Sequence, residues 1–468
     1  MFAKIQRIHF IGIGGIGMSG IAEVLLNLGY KVSGSDLRSS AVTARLATLG
    51  AGIAEGHRAE NIAGAEVVIV SSAIARDNPE VVAAHQQHVP VIQRAEMLAE
   101  LMRLKYGIAV AGMHGKTTTT SMIAAVLAGG GLDPTVVVGG RVDAMGSNAR
   151  LGKSQYLVAE ADESDRSFLK LSPILAVVTN IDREHMDCYR DMQDVESTFL
   201  QFMDSVPFYG TVIACNDNGD LRRLLTGVQR RTLAYGVREG SDFRISGFEC
   251  GRVEASRALS RFRVSYRGDD LGSFELRVPG AHNVSNATAA IAVGIGLDLP
   301  LEDIRQALAN FNGVDRRFQV IGTAGGVTVV DDYGHHPTEI RATLAAARQC
   351  GFAKIHVIFQ PHRYTRTQLL LDDFATAFRD ADSVLVLDIY AASEQPIPGI
   401  TAELLAERIT EDGGQEALYV SSFAEAAQLA IRASSPGDMI LTLGAGSIWQ
   451  LAPQVLERLE ARAARSAP

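Results

Sequence analysis

Short apolar runs alternate with stretches of helical apolar spacing along the first hundred residues. Residues 8–11 and Val67–Val70 are runs typical of buried strands, whereas Ile21, Val24 and Leu28 recur at the spacing of one helix face. Strands and helices alternate in this way in parallel sheets that carry helices on both faces. The pattern therefore predicts an α/β fold that begins with a Rossmann-like, doubly wound sheet.

The same alternation continues to the end of the chain, with one interruption. Further strands are predicted at residues 156–159, 174–179, 327–331, 355–359, 384–387 and 439–443. Residues 241–279 are instead rich in strand formers and predict a hairpin with its turn at 267–270. For 468 residues, at about 150 residues per domain, we expect three domains. They are an N-terminal Rossmann-like domain at 1–102, a central P-loop-like ATP-binding α/β domain at 103–318, and a C-terminal Rossmann-like α/β domain at 319–468.

A glycine-rich turn follows the first predicted strand. Its pattern Gly12-x-Gly14-x-x-Gly17 is typical of a backbone that approaches a diphosphate at a helix N-terminus. Asp36 lies near the position of a ribose-binding acid. The candidate binding residues here are Gly14, Gly15, Ile16, Gly17, Met18, Ser19, Asp36, Ser71 and Ser72. A nicotinamide cofactor and a UDP-sugar diphosphate fit this turn equally well, and a purely structural glycine turn is the third alternative.

A second glycine-rich turn opens the central region and indicates a triphosphate site. The segment consists of Gly112, Met113, His114, Gly115, Lys116, Thr117 and Thr118, after an apolar strand and before a helix. Backbone N–H groups, the Lys116 charge and the Thr117 hydroxyl would bind phosphates and Mg²⁺. Val110 stands where the strict P-loop pattern has glycine, so the motif is a compact variant. The alternative is a glycine turn that only caps a helix.

Polar residues follow several other predicted strands. Glu160 ends one strand, and its carboxylate could bind the same Mg²⁺ as Thr117, although a solvated acidic loop is the alternative. His185 follows the next strand. His335 and His336 precede a predicted helix, and adjacent histidines suit substrate contacts better than one shared metal. Arg363 and Arg366, three residues apart, suit a carboxylate or phosphate, or else form a solvated basic loop.

Composition narrows the class of protein. Apolar residues make up 47% of the chain and the formal net charge is −9, without a basic block, so we expect no nucleic-acid partner. We expect no membrane partner and no secretory signal, because no apolar run is long enough and residues 1–7 lead directly into the first strand. Four cysteines without CxxC spacing indicate reduced thiols in the cytoplasm.

Taken together, these motifs resemble the Mur ligase family through essentially the whole chain. The resemblance includes the opening segment 9–19, the phosphate loop, and the segments 160–165, 179–187, 280–286, 316–318, 331–337 and 359–366 in the family's order. It implies an ATP-dependent ligase. This enzyme would join L-alanine to the lactyl carboxylate of UDP-N-acetylmuramate through an acyl phosphate, giving ADP and phosphate during peptidoglycan precursor synthesis.

The resemblance also assigns a role to each region. The first domain would bind the UDP-sugar, Lys116 the β- and γ-phosphates, and Thr117 and Glu160 a Mg²⁺ ion, with His185 at a second Mg²⁺. Asn283 would lie near the adenine, Arg317 would reach the triphosphate, and Asp331 or Asp332 would lie near the ribose. His335, His336, Arg363 and Arg366 would form the alanine site. No lysine occurs between Met186 and Phe208, so a carbamylated lysine is not expected in this metal site.

Several alternatives stay open at this point. A nicotinamide dehydrogenase would account for the first glycine turn only, and a P-loop switch or transport ATPase for the second turn only. Within the family, the chain could add another amino acid or a preformed peptide, and the choice among glycine, alanine and serine is open. Which of His335 and His336 accepts the amine proton is also open. We expect small-molecule partners only, and a monomer or weak homodimer.

Overall fold

The computed structural model describes residues 5–71, 73–142, 147–254 and 257–466, in two compact units. The first unit comprises Met1–Ser246, Arg263–Gly272 and Ser285–Leu308, and the second comprises Gly247–Phe262, Ser273–Val284 and Ala309–Pro468. Three sheets organise the chain, and helices connect most of their strands. The predicted α/β class is confirmed. Among the described residues, no helix is both long and apolar enough to traverse a bilayer.

The first sheet is parallel and has the strand order β3-β2-β1-β4-β5. Its strands are β1 (Arg7–Ile11), β2 (Lys31–Asp36), β3 (Gly52–Glu55), β4 (Val67–Val70) and β5 (Val91–Gln93). Its helices are α1 (Ile16–Asn27), α2 (Ala41–Thr48), α3 (Pro79–Gln86) and α4 (Arg94–Arg103). The strand order reverses direction between β1 and β4, and the crevice at their carboxyl ends is where sheets of this kind bind ligands.

The second sheet has ten strands in the order β15-β14-β13-β12-β11-β10-β6-β9-β7-β8. The strands are β6 (Tyr106–Ala111), β7 (Thr135–Val142), β8 (Ser147–Arg150), β9 (Tyr156–Glu160), β10 (Leu175–Val178), β11 (Thr211–Cys215), β12 (Thr232–Gly236), β13 (Phe243–Glu254), β14 (Arg257–Tyr266) and β15 (Asp269–Leu276). The helices are α5 (Lys116–Gly129), α6 (Met192–Asp204), α7 (Gly219–Leu225), α8 (Ala281–Gly296) and α9 (Leu301–Ala309). The predicted hairpin is β14–β15, and its turn is tighter than expected because Arg267 and Gly268 both adopt positive φ.

The third sheet lies in the second unit and has the order β16-β17-β21-β18-β19-β20. Its strands are β16 (Gln319–Ala324), β17 (Val327–Asp332), β18 (Ile355–Phe359), β19 (Ser383–Val386), β20 (Ala417–Tyr419) and β21 (Met439–Leu443). Its helices are α10 (Pro337–Gln349), α11 (Tyr364–Leu369), α12 (Leu371–Ala375), α13 (Ala402–Gly413), α14 (Phe423–Ala433) and α15 (Leu451–Ser466). The edge strand β16 is antiparallel to β17 and was not predicted. Two separate apolar clusters contain the buried residues of this region.

Candidate active site

The second glycine turn connects β6 to α5 and depends on two glycines in unusual conformations. Gly112 has φ 132°, and a Cβ atom there would lie 2.1 Å from Thr179 Oγ1. Gly115 has φ 81° and directly precedes α5, and a Cβ atom there would lie 2.9 Å from Asn286 Oδ1. A side chain at either position would clash or strain the backbone. These two positions therefore require glycine to keep the turn closed.

The turn is fastened to the end of β10, the strand beside β6. Asn180 Oδ1 accepts a hydrogen bond from the His114 N–H at 2.9 Å, and Asn180 Nδ2 donates to the His114 carbonyl at 2.9 Å. Thr179 Oγ1 donates to the same carbonyl at 2.6 Å. These contacts fix the peptide groups of the loop, and a fixed loop is what backbone recognition of phosphate needs.

Lys116 is the first residue of α5, and its ammonium group is held inside the turn. Nζ donates to the carbonyls of Gly112 at 2.7 Å and Met113 at 3.3 Å, and to Glu163 Oε1 at 2.7 Å. Burial acts to lower the pKa of Lys116, but the nearby carboxylates, Glu163 above all, raise it beyond its ordinary value. Lys116 is therefore a permanent cation in the turn.

Acidic side chains surround this cation. The carboxyl end of β9 supplies Glu160, and its pairing with Val110 of β6 confirms that these two strands are neighbours. Glu163 is 1% exposed, and its Oε2 atom has no hydrogen-bond partner among the described residues. Tyr189 Oη fixes the Glu163 backbone by donating to its carbonyl at 2.6 Å. The sequence analysis assigned no role to Glu163, so its contact with Lys116 was missed.

The residues present fit a magnesium-bound triphosphate. His185 Nε2 lies 3.5 Å from Glu163 Oε1, and the His185 backbone adopts φ 56°. A buried carboxylate oxygen in Glu163, the Glu160 carboxylate and the Thr117 hydroxyl are the hard oxygen donors that Mg²⁺ prefers. His114 hydrogen-bonds Asp182 Oδ2 at 2.8 Å, which positions its ring beside the loop.

The first glycine turn is closed by β2. The Ser35 carbonyl accepts hydrogen bonds from the N–H groups of Gly12 at 2.8 Å and Ile13 at 3.0 Å. Asp36 Oδ2 accepts from the Gly14 N–H at 2.8 Å. The candidates from Ile16 onward open α1, and Ser71 follows β4 at the carboxyl edge beside β1. Ser72 lies outside the described residues.

Behind this turn, Glu80 forms a buried network that the sequence interpretation missed. Its Oε2 accepts from Ser35 Oγ at 2.7 Å and lies 3.0 Å from His9 Nε2. Its Oε1 accepts from Asn61 Nδ2 at 2.6 Å and from the Arg58 N–H at 3.1 Å. Burial acts to raise the Glu80 pKa, but these hydrogen bonds lower it to about 2. A single acid in a polar stretch carries no periodic signal that could have revealed it.

In the second unit, the two aspartates that end β17 have internal partners. Asp331 accepts from Arg316 Nε at 2.8 Å and from Thr442 Oγ1 at 2.6 Å. Asp332 accepts from the Phe318 N–H and the Gly334 N–H, each at 2.7 Å. Burial raises the pKa of Asp332 to about 6. Asp331 thus holds two side chains and Asp332 holds two backbone N–H groups of the same unit. Their position near a ribose stays a prediction.

The histidine pair lies at the start of α10 around Glu339. His336 is the N-cap residue, and its Nδ1 accepts from the Thr338 N–H at 3.3 Å. His335 Nδ1 lies 3.0 Å from the Tyr333 carbonyl, and Glu339 Oε2 accepts from the His335 N–H at 3.1 Å. Glu339 also forms an ion pair with Arg317 at 3.3 Å. The structure thus places His335, His336 and Arg317 around the Glu339 carboxylate. The side-chain amide of Asn283 donates to the Pro279 carbonyl at 2.7 Å.

The two predicted arginines of the last region lie at α11. Arg363 is the N-cap residue with φ 69° and ψ 136°, and its buried Nε has no hydrogen-bond partner among the described residues. Arg366 Nη1 donates to His362 Nδ1 at 3.0 Å. Burial, followed by the charges of His335, Arg366 and Arg363, lowers the His362 pKa to about 3. His362 is therefore neutral at physiological pH, and the rings of His335 and His362 lie 5.7 Å apart.

Three models of known protein families match successive parts of the chain. They are the Mur ligase family, catalytic domain, at residues 7–106, the Mur ligase middle domain at 110–294, and the Mur ligase, glutamate ligase domain, at 316–446. A UDP-N-acetylmuramate–L-alanine ligase of Koribacter versatilis (strain Ellin345) is 71% identical over 463 residues, 99% of each chain. A ligase of the same name from Geobacter sp. (strain M21) is 55% identical, and the match covers 98% of this chain and 99% of that relative.

Solved structures show the same likeness. The crystal structure of a UDP-N-acetylmuramate–alanine ligase from Thermotoga maritima has a TM-score of 0.80 at 31% identity, over 97% of this chain and 99% of the other. A murein peptide ligase from Psychrobacter arcticus has a TM-score of 0.69 at 24% identity, with 97% and 99% of the two chains covered, and shows the shared fold alone.

Proposed function

Because the chain belongs to the Mur ligase family, we propose that it joins L-alanine to UDP-N-acetylmuramate at the expense of ATP. The reaction gives an amide, ADP and phosphate, and it serves peptidoglycan precursor synthesis. The observation that carries the proposal is the closed glycine turn around Lys116, with Glu163 at 2.7 Å, in a chain that matches ligases of this name along its full length.

The reaction has two steps. An oxygen of the lactyl carboxylate attacks the γ-phosphorus of ATP, which forms an acyl phosphate and releases ADP. The neutral amine of L-alanine then attacks the acyl carbon, phosphate leaves, and the amine loses a proton. The first step brings an anionic carboxylate against an anionic triphosphate, so its main requirement is compensation of negative charge.

Lys116 meets this requirement in the first unit. Its ammonium stays charged inside the turn, and we assign it to the β- and γ-phosphates. The N–H groups of the segment from Gly112 to Thr118 would bind the remaining phosphate oxygens. Thr117 and Glu160 would hold a Mg²⁺ ion, with His185 and Glu163 beside it. When bound, this ion would neutralise phosphate charge as a Lewis acid.

The turn after β1 is proposed to bind the diphosphate of the UDP-sugar. Asp36 holds the Gly14 N–H and thereby orients the peptide groups at the start of α1, whose positive end favours an anion. The residues from Gly14 to Ser19, together with Ser71 and Ser72, would surround the UDP group.

The second unit is proposed to handle the amino acid. Arg363 and Arg366 present two guanidinium groups suited to a carboxylate, and His335 would accept the proton of the attacking amine. Asn283, Arg317, Asp331 and Asp332 remain proposed nucleotide contacts. We place the reaction in the cytoplasm, with Mg²⁺ required and small molecules as the only partners. A monomer or weak homodimer is proposed.

Phosphate release with ATP, Mg²⁺ and UDP-N-acetylmuramate tests the function when the amino acids are supplied one at a time. We expect rapid release with L-alanine, slower release with glycine and L-serine, and a new amide detected by mass spectrometry. A difference of one methyl or hydroxyl group is worth about 1–3 kcal/mol, so the preference should be about 10- to 200-fold. Release without any amino acid would indicate an ATPase instead, and amide formation only with a peptide would indicate a peptide ligase.

A further inference from the structure

Two cysteines that are 100 residues apart in sequence meet in the second unit. Cys250 lies on β13 and Cys350 caps the C-terminal end of α10, and their Sγ atoms are 3.8 Å apart. A disulfide requires about 2.0 Å between sulfur atoms, so a relative shift of less than about 2 Å would allow the bond. The other two cysteines, Cys188 and Cys215, have no described cysteine partner among the residues that the structure covers.

The surroundings make the two thiols unequal. Cys350 is 2% exposed and belongs to the apolar cluster beneath α10, whereas Cys250 is partly exposed at the margin of that cluster. The Cys350 thiol hydrogen-bonds Cys250, and this contact lowers the Cys250 pKa although burial opposes it. Cys250 Sγ also donates to the Gly251 carbonyl at 3.7 Å. Cys250 is thus the accessible nucleophile, and Cys350 is the partner shielded behind it.

The pair lies where two segments of the second unit pack tightly. A Cβ atom on Gly280 would lie 2.9 Å from the Ala346 Cβ of α10, so the backbone at Gly280 contacts the helix directly. The same helix begins at His336 and carries Glu339. A covalent bond at Cys350 would therefore tie the far end of the proposed histidine-bearing helix to β13.

We propose that Cys250 and Cys350 form a redox modification site that takes a small-molecule disulfide as its oxidant. The Cys250 thiolate attacks one sulfur of the small disulfide and displaces the first thiolate, which leaves a mixed disulfide. Cys350 sulfur then attacks Cys250 sulfur, a second thiolate leaves, and the Cys350 proton ends on it or in solvent. Two protein thiols are oxidised to one disulfide, and the small disulfide is reduced to two thiols.

Oxidised glutathione, added in excess to the full chain at neutral pH, provides the probe. The thiols that can be titrated after denaturation should fall from four to two. Intact mass should show no retained glutathione, and peptide mapping without reductant should link the peptides of Cys250 and Cys350. Dithiothreitol should restore all four thiols. Absence of that linked peptide after prolonged oxidation, or glutathione retained on Cys250 in the wild type, would overturn the proposal.

Two variants separate the site from general thiol oxidation. Cys350→Ser should trap one glutathione on Cys250, because the resolving sulfur is missing. Cys188→Ser is the matched control: it should form the same linkage and lose two of its three thiols. An unmodified Cys250 in the Cys350→Ser variant contradicts the proposal. If that variant does not fold, the wild-type peptide map still decides. None of these readouts depends on the ligase activity.

Discussion

The ammonium of Lys116 donates to Glu163 Oε1 over 2.7 Å and thereby joins the glycine turn after β6 to the loop after β9. The two residues are 47 positions apart, and Glu163 is buried. A lysine in this position has a fixed direction and a fixed charge. Phosphoryl transfer depends on a cation that is positioned before charge develops on the transferring group.

Replacement of Lys116 by alanine should abolish turnover while the fold persists. The variant loses the cation assigned to the phosphates, so kcat should fall by at least about 100-fold, the scale for loss of one transition-state donor. Circular dichroism should show an intact fold. Lys170→Ala, which removes a surface ion pair with Glu96, is the control and should keep near-wild-type turnover. Near-normal turnover in Lys116→Ala would disprove its assignment.

Replacement of Glu160 by glutamine should raise the Mg²⁺ requirement. The amide keeps the shape of the side chain but removes the charge that would hold the ion. We expect the Mg²⁺ concentration at half-maximal rate to rise by about 10-fold or more, as for other disturbed metal sites. Asp165→Asn is the control, since Asp165 is an exposed acid of the same loop. Chelation of Mg²⁺ should stop phosphate release in every variant. An unchanged Mg²⁺ dependence in Glu160→Gln would exclude it as a ligand.

The two histidines before α10 should differ in their effect on the pH–rate profile. His336 Nδ1 accepts the Thr338 N–H, so in the neutral ring Nε2 carries the proton and cannot accept another. The Tyr333 carbonyl can only accept, which places the His335 proton on Nδ1 and makes His335 Nε2 the basic nitrogen. His335→Ala should therefore lose the acid limb of the profile, whereas His336→Asn should keep both the limb and the helix cap. The opposite result would transfer the role to His336.

Glu80 should make stability dependent on acid pH. Its folded pKa is about 2 against an ordinary value of 4.5. Because the folded value is the lower one, the contribution is complete above pH 4.5 and is lost as pH falls from 4.5 towards 2. The free energy of unfolding should drop by roughly 3 kcal/mol across this window. Chemical denaturation at several pH values should show a flatter dependence in Glu80→Gln, and Glu60→Gln, at an exposed site nearby, should follow the wild type.

Local patterns were sufficient to predict the elements on which each site is built. Both glycine turns lie between a strand and a helix, as expected, because a glycine run after an apolar strand leaves few other conformations. The end of β9 at Glu160 was also predicted correctly. The edge strand β16 was missed because Gln319–Ala324 shows no regular alternation of apolar and polar residues, and its register with β17 shifts between Val320 and Gly322.

Contacts between distant side chains were not predictable in this way. Four acids lie within the six residues that begin at Glu160, the last residue of β9, and only the folded loop shows that Glu163 is the one turned towards Lys116. The Glu80 network was missed for the same reason, because its four hydrogen-bond partners come from three separate segments of the chain. The spacing of residues along one helix or strand predicts which side chains share a face. It does not predict which side chains of a distant segment will contact that face.

The backbone at Arg363, with φ 69° and ψ 136°, lies in a region that suits glycine and costs other residues about 1–3 kcal/mol. An arginine at this position therefore lowers the thermal stability of the fold, while the strained backbone fixes the position of its guanidinium group. A library of variants selected only for survival at high temperature should therefore tend to replace this arginine with glycine, and its most robust members would be poor enzymes.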